Sequence, residues 1–135
     1  MREIIFRAKR VKKYCKAQDW TEGVPFIDHE GDCIMKTDGS ELVVDPETVG
    51  QYTGLTDKNG KKIFEGDIFI ESDGGMDGIP RKVVWDEVWM QFDCPLVRRH
   101  WAYGTNCVRL WLMRDIDIEV IGNIHDNPEL LKGEE

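Results

Sequence analysis

Hydrophobic residues come in short runs along the chain, divided by clusters of Gly, Pro, Asp and Asn. In residues 2–12, Ile4, Phe6 and Ala8 lie on one side of an extended segment and charged residues on the other, which is the period-two pattern of a half-buried strand. Residues 115–120 alternate carboxylates with aliphatic side chains in the same way. No long stretch repeats at the helical spacing, so the pattern favours β-structure.

Turn signals divide the remaining chain into further short segments. The pattern predicts short strands at residues 26–27, 33–35, 68–71, 81–85, 88–92 and 107–113. A hairpin is expected at Asn59-Gly60, where the turn needs a positive φ. Residues 72–80 are expected to form a flexible loop at the end of another hairpin. Helix signals predict only single turns, one at Asp45-Pro46 and one at Asn127-Pro128.

These elements predict a mainly β fold with little helix. Residues 1–62 form a β-rich N-terminal lobe in this interpretation, and residues 63–135 form a small C-terminal β-barrel with a short terminal helical turn. Closing the strands of residues 64–124 into a barrel would remove exposed sheet edges.

Charge is distributed unevenly along this chain of 135 residues and net charge −8. Residues 1–16 hold seven Lys or Arg against one Glu, and this basic strand includes Arg7, Lys9 and Arg10. An acidic surface repels nucleic acid, whereas a basic face could attract an acidic partner or a phosphate backbone. The net charge therefore disfavours nucleic acid as the main partner.

The apolar runs are far shorter than the roughly 20 residues that a membrane helix needs, and the first residues lack the apolar core of a secretory signal. The protein is therefore expected in the cytoplasm, without membrane attachment. The four cysteines include no C-x-x-C pair, so free thiols are expected.

The chain contains no motif for a phosphate loop, a dinucleotide fold or a hydrolase nucleophile elbow. It is predicted to be no enzyme and to hold no cofactor or metal. Cys94, His100 and Cys107 match no standard zinc spacing, and whether they meet in space is open. Asp115, Asp117 and Glu119 are expected to form a solvated strand face. The loop 73–78 lacks the alternating acidic residues of a calcium loop.

The segment from Arg98 to Tyr103 combines positive charge with aromatic rings, which single-stranded nucleic acid binders use for phosphate contact and stacking. Arg98, Arg99, Trp101 and Tyr103 are the candidate binding residues here. The alternative is an ordinary hairpin in which the aromatic rings pack inward.

Four strings have a more specific pattern: residues 2–8, 45–60, 63–68 and 118–130. In order and spacing they resemble the YopX family of phage and prophage proteins. The resemblance implies a β-rich N-terminal part, a C-terminal β-barrel and an origin in a bacteriophage or prophage, and hence a bacterial host cell. It implies no settled activity and no catalytic residues.

Much of the shared pattern is explained by turn geometry. Glycines supply backbone conformations that other residues resist, and Asp side chains accept local N–H bonds. The residues assigned to this structural turn motif are Gly50, Gly54, Asp57, Gly60, Gly66 and Asp67.

The leading hypothesis is a non-enzymatic phage or prophage accessory protein that binds a host or phage protein or assembles with itself. A nucleic-acid-binding regulator using the basic N-terminal strand and residues 98–103 is the alternative, and an enzyme with a dispersed active site is a third hypothesis. A small barrel has too little interior volume for the four indoles of Trp85, Trp89, Trp101 and Trp111. Some of them are therefore expected to face outward, which favours a homo-oligomer. Cover by the N-terminal lobe is the competing interpretation.

Overall fold

A computed structural model describes residues 3–13 and 19–132. It contains eleven strands among these residues, and the predicted mainly β class is confirmed. The strands are β1 (Phe6–Lys9), β2 (Trp20–Ile27), β3 (Cys33–Thr37), β4 (Ser40–Val43), β5 (Gly50–Thr56), β6 (Lys62–Phe64), β7 (Asp67–Glu71), β8 (Arg81–Lys82), β9 (Val84–Asp86), β10 (Gln91–Asp93) and β11 (Ile118–Asn123). The described residues also contain three 3₁₀ turns, at Pro46–Thr48, Leu110–Met113 and Pro128–Leu131. No helix in the described ranges is both long and apolar enough to cross a bilayer.

The chain divides into two compact units, Met1–Tyr52 and Thr53–Glu135. In the first unit the strands lie in the order β4-β3-β2-β1-β5, each antiparallel to its neighbour. Ala8, Cys33, Met35 and Val44 form its buried core, and Phe6 packs against it. The predicted alternation holds only in part, because Arg7 on the other side of β1 is also buried and Ile4 is 63% exposed.

The second unit has a three-stranded sheet in the order β11-β7-β8 and a separate β9–β10 hairpin, while β5 continues into this unit beside β6. Its core gathers around Ile63, Phe69, Leu110 and Ile118. The predicted closed barrel is wrong for the described residues, because the strands form separate antiparallel sheets. β8 and β9 have only two and three residues, too few to continue one ladder around a barrel.

The turn between β5 and β6 is organised by the buried carboxylate of Asp57. Its Oδ1 accepts N–H bonds from Asn59 and Lys61 at 2.9 Å each, and its Oδ2 accepts one from Val120 in β11 at 3.0 Å. Gly60 has φ 80°, as the Asn-Gly pattern predicted. Burial tends to raise the pKa of Asp57, but the three N–H bonds outweigh it and the pKa is lowered.

A second carboxylate organises the turn between β6 and β7. Asp67 Oδ2 accepts the Phe64 N–H at 2.8 Å, and Gly66 has φ 91°. Gly54 also has a positive φ, but Gly50 does not. Gly50 is a buried strand residue opposite Arg7, so its assignment to a turn was wrong.

Three predicted strands are corrected by the structure. Residues 107–113 contain the Leu110–Met113 3₁₀ turn and only a single bridge at Arg109. Residues 88–90 form the β9–β10 turn, and β10 begins at Gln91. The last strand begins at Ile118, so Asp115 and Asp117 precede it and do not share a strand face with Glu119.

Candidate functional site

The β9–β10 hairpin presents an unusual tip. Asp86 pairs with Gln91 across the strands, and Asp86 Oδ1 accepts the N–H groups of Val88 at 2.8 Å and Trp89 at 3.1 Å. These bonds close the turn from its first residue. Met90 completes it with φ 52°, a conformation that non-glycine side chains rarely adopt.

Three consecutive apolar side chains form the hairpin tip, which we define as Val88, Trp89 and Met90. They are 83%, 70% and 68% exposed. Isolated apolar residues are common on protein surfaces, but a run of this kind on a fixed turn is typical of a contact surface. Backbone strain retained at Met90 points in the same direction, since strained residues cluster at functional sites.

Below the tip lies a cleft of about 310 Å³ between the hairpin and residues 107–109. The Cys94 N–H donates to the Val108 carbonyl at 2.8 Å, and the backbones of Asp93 and Arg109 form an antiparallel β-bridge. These contacts hold the two walls together. The side chains that line the cleft are Asp86, Trp89, Gln91, Asp93, Cys107, Val108 and Arg109.

Two carboxyl groups of this cleft share a hydrogen bond. Asp93 is only 6% exposed, and its Oδ1 also accepts from the Gln91 side-chain amide at 3.0 Å. Burial raises the pKa of Asp93, and the hydrogen bond to Asp86 raises it further. The Trp89 N–H chiefly, with help from Val88 and Asp93, lowers the pKa of Asp86. The two carboxyl groups therefore titrate apart, Asp86 at the lower pH and Asp93 at the higher pH.

The opposite wall carries a thiol and a cation. Cys107 is exposed, but partial desolvation of its sulfur and then the charges of Asp93 and Asp86 raise the pKa of the thiol, so it stays neutral near pH 7. This disfavours nucleophilic chemistry, which needs the thiolate. The Arg109 guanidinium lines the cleft but makes no ion pair with a carboxylate of the described ranges.

The Arg98–Tyr103 segment forms a separate feature, the aromatic turn His100–Gly104. His100 and Gly104 exchange backbone hydrogen bonds, and the buried His100 ring contacts Asp77 at 2.8 Å. Its Nδ1 accepts the Ala102 N–H, so the proton lies on Nε2 and is donated to Asp77.

Trp101 and Tyr103 are 89% and 67% exposed, with ring centroids 5.6 and 5.2 Å from that of His100. The alternative in which these rings pack inward is therefore wrong. Arg98 is half-buried and Arg99 is exposed beside them. Trp85, Trp89, Trp101 and Trp111 are all at least partly exposed. The reason given for their exposure was wrong, because the strands do not close into a barrel.

The basic N-terminal residues lie in the first unit and are partly used in packing there. The buried Arg7 guanidinium lies 4.5 Å from the Trp20 ring centroid, and Lys9 Nζ lies 5.7 Å from the same centroid. Arg10 is half-buried and bridges Val44.

The metal candidates from the sequence, Cys94, His100 and Cys107, do not place their three ligand atoms within 4.8 Å of one another. Cys94 Sγ donates to the Val108 carbonyl and His100 contacts Asp77, so neither joins Cys107 in a ligand set. Among the described residues, only Asp28, Glu30 and Asp32 place three ligand atoms within 4.8 Å of one another. Asp28 Oδ1 already accepts the N–H groups of Glu30 and Asp32 there, which makes it a turn-forming residue.

Sequence reasoning missed the hairpin tip and the cleft. Val88, Trp89 and Met90 were assigned to a strand because an apolar run usually indicates one. The signal for a turn there is the pair Asp86-Glu87, which directly precedes three apolar residues that do not alternate with polar ones. The pairing of Asp93 with Asp86 and its approach to Cys107 left no such local signal, because Cys107 is distant in sequence.

Comparisons with known proteins agree with this fold. The family model described as YopX protein matches residues 5–132. The crystal structure of protein EF1440 from Enterococcus faecalis is similar, with 22% identity and a TM-score of 0.57, and the match covers 98% of this chain and 100% of that one. The crystal structure of protein yopX from Bacillus subtilis is also similar, with 18% identity and a TM-score of 0.54, and the match covers 100% of both chains. No curated protein sequence matches the chain.

Proposed function

The chain belongs to the YopX protein family, and from this premise we propose that it is a non-enzymatic accessory protein of a phage or prophage that binds a protein partner through the hairpin tip. The observation that carries the proposal is the run Val88, Trp89 and Met90, whose apolar side chains are all about two-thirds exposed or more. The proposed location is the cytoplasm of the bacterial host.

Physical chemistry favours a protein as the occupant of this surface. Trp and Met are enriched in protein interfaces, and a Trp beside smaller apolar neighbours is a typical binding anchor. The Asp86 bonds and the β9–β10 ladder already order the turn, so little conformational entropy is lost on contact.

A photo-crosslinking experiment tests the proposal. A benzophenone amino acid at position 88 is irradiated in the bacterial host, and covalent adducts are identified by mass spectrometry. We expect one discrete adduct, with a phage or host protein or with a second copy of the chain, that is lost when Trp89→Ser is added. Trp111→Ser is the matched control, since Trp111 is exposed elsewhere in the same unit.

Absence of a discrete adduct, or an adduct that persists in Trp89→Ser, contradicts the proposal. Light scattering after size exclusion then separates the two kinds of partner, because self-assembly requires a mass above the monomer at micromolar concentration. A monomer mass across dilution assigns a discrete adduct to another protein.

A second candidate function is nucleic-acid binding by the aromatic turn, favoured by two exposed rings beside Arg98 and Arg99. Stacking is worth about 1–3 kcal/mol per base. If this function holds, single-stranded RNA or DNA binds with an affinity that falls with salt, and Trp101→Ala weakens it while Trp111→Ala does not. Salt-independent or undetectable binding rejects it.

A further inference from the structure

The cleft below the hairpin tip has the parts of a specific pocket. The buried Asp93, Asp86 and the 70% exposed Trp89 are among the side chains that line it. The volume of about 310 Å³ exceeds that of a single side chain. The walls belong to segments that pair through their backbones.

The carboxyl groups of Asp86 and Asp93 are neighbours in this cleft. They share a hydrogen bond, and neither makes an ion pair with a Lys or Arg in the part of the chain that the structure describes. An aromatic face next to carboxylates is the combination that recognises guanidinium and ammonium groups. The acidic net charge of the chain favours approach of a basic partner.

We propose that this cleft binds the cationic side chain, arginine above all, of a basic segment in the protein partner, with Asp86 and Asp93 contacting the charge and Trp89 stacking on it. The inference rests on the proposed function for the identity of the partner as a protein. The partner must then present a cation next to an apolar side chain that contacts the hairpin tip.

Entry of a cation shifts the titration of this pair of carboxyl groups. A positive charge beside Asp93 favours its ionised form, and two carboxylates then face that charge. The groups that face Asp93 are Asp86, Gln91, Cys107 and Arg109. Arg109 opposes the incoming cation, and the neutral Cys107 thiol does not. A metal ion fits less well, since these groups do not place three ligand atoms within 4.8 Å of one another.

A nuclear magnetic resonance titration tests the inference on the intact chain. The probe is the capped peptide acetyl-Gly-Arg-Gly-amide, and the control peptide carries citrulline, which has nearly the same shape without the charge. We expect saturable shifts of the Trp89 indole and Gln91 amide signals with the arginine peptide only. Asp93→Asn should weaken binding about tenfold, and Arg109→Gln should strengthen it several-fold. The wild-type affinity should rise with pH, and this dependence should vanish in Asp93→Asn.

A second measurement needs neither ligand nor folding of a variant. Cys107 is the exposed thiol among the described cysteines, so its reaction rates with a cationic and an anionic methanethiosulfonate, followed by peptide mapping, report the potential inside the cleft. We expect the cationic reagent to be favoured about tenfold over its preference for a small free thiol.

The outcomes separate this inference from the proposed function. Equal shifts with arginine and citrulline peptides, no shifts at tens of millimolar peptide, or no preference for the cationic reagent overturns the inference. A photo-adduct at position 88 that depends on Trp89 then still supports protein binding. Selective arginine binding together with no adduct supports the cleft and rejects the hairpin tip as a protein-binding surface.

Discussion

Two turns of the second unit use aspartate in opposite ways. Asp57 accepts three backbone N–H groups, one of them from a distant strand, and its pKa is lowered. Asp86 accepts two N–H groups of its own turn and a hydrogen bond from Asp93, whose pKa is raised. The first turn is tied into the sheet, while the second holds exposed side chains above a cleft.

The difference shows how one local device serves two purposes. An Asp side chain that accepts nearby N–H groups forms a turn in both places. At Asp57 the remaining oxygen connects β11 to the turn, so the carboxylate stabilises the fold. At Asp86 the turn carries Val88, Trp89 and Met90 outward, where they bury little surface and form the proposed contact surface. The experiments below test this contrast, from the largest expected effect to the smallest.

Removing the Asp57 carboxylate should have the largest effect. Asp57→Ala leaves three N–H groups without their acceptor, and we expect a loss of about 3 kcal/mol in the free energy of unfolding. Urea unfolding measures it. Because the folded-state pKa is lowered, the stabilisation is present above the unfolded pKa and is lost as pH falls through the folded one. Asp115→Ala, at an exposed site, should change stability by less than about 0.5 kcal/mol. Equal effects of the two variants would contradict the contrast.

Valine at Gly66 or Gly60 should have the next largest effect. These glycines have φ 91° and 80°, which β-branched side chains resist, so each variant should lose about 1–3 kcal/mol. An added Cβ meets no atom within 4 Å at Gly60, and at Gly66 it lies in ordinary contact with Ile124 at 3.6 Å and His125 at 3.8 Å, so the backbone conformation is the main cause of the loss. Thermal unfolding checks this, with Gly60→Asn as the control because Asn tolerates positive φ. Unchanged melting temperatures in both valine variants would refute it.

A smaller, pH-dependent effect is expected at Asp93. Its pKa is raised on folding, so its contribution to stability is present below the unfolded pKa and is lost as pH rises through the folded one. Asp93→Asn keeps an acceptor for Gln91 and a donor for Asp86, which mimics the protonated carboxyl. Unfolding midpoints measured from pH 4 to 8 should decline for the wild type and stay flatter for the variant. Parallel curves for the wild type and Asp93→Asn would contradict a raised pKa of Asp93.

The smallest effect should come from Met90→Gly. Glycine adopts φ 52° without strain, but it also increases the entropy of the unfolded chain, so a net gain of only about 0.5 kcal/mol is expected. Denaturant unfolding measures it, and Val88→Gly, at a position without positive φ, should bring no gain. A loss of stability in Met90→Gly would show that the hairpin tip packs more firmly than its exposure suggests.

Local physics let the sequence determine a good part of this protein. The Asn59-Gly60 turn, the tight turn at Gly66 and the capped turn after Asp45 follow from backbone sterics and short-range N–H bonds, so they are visible in a few consecutive residues. The mainly β class follows from the absence of helical spacing, and family membership from four strings of residues.

Tertiary structure alone decided how these pieces combine. Whether the strands close into a barrel depends on pairings between distant residues, and here β9 pairs with β10 in a separate hairpin while β11 pairs with β7. The meeting of Asp93 with Cys107 depends on the approach of residues 107–109 to β10. The exposure of Val88, Trp89 and Met90 was decided in the same way, because an apolar run is buried only where another element covers it.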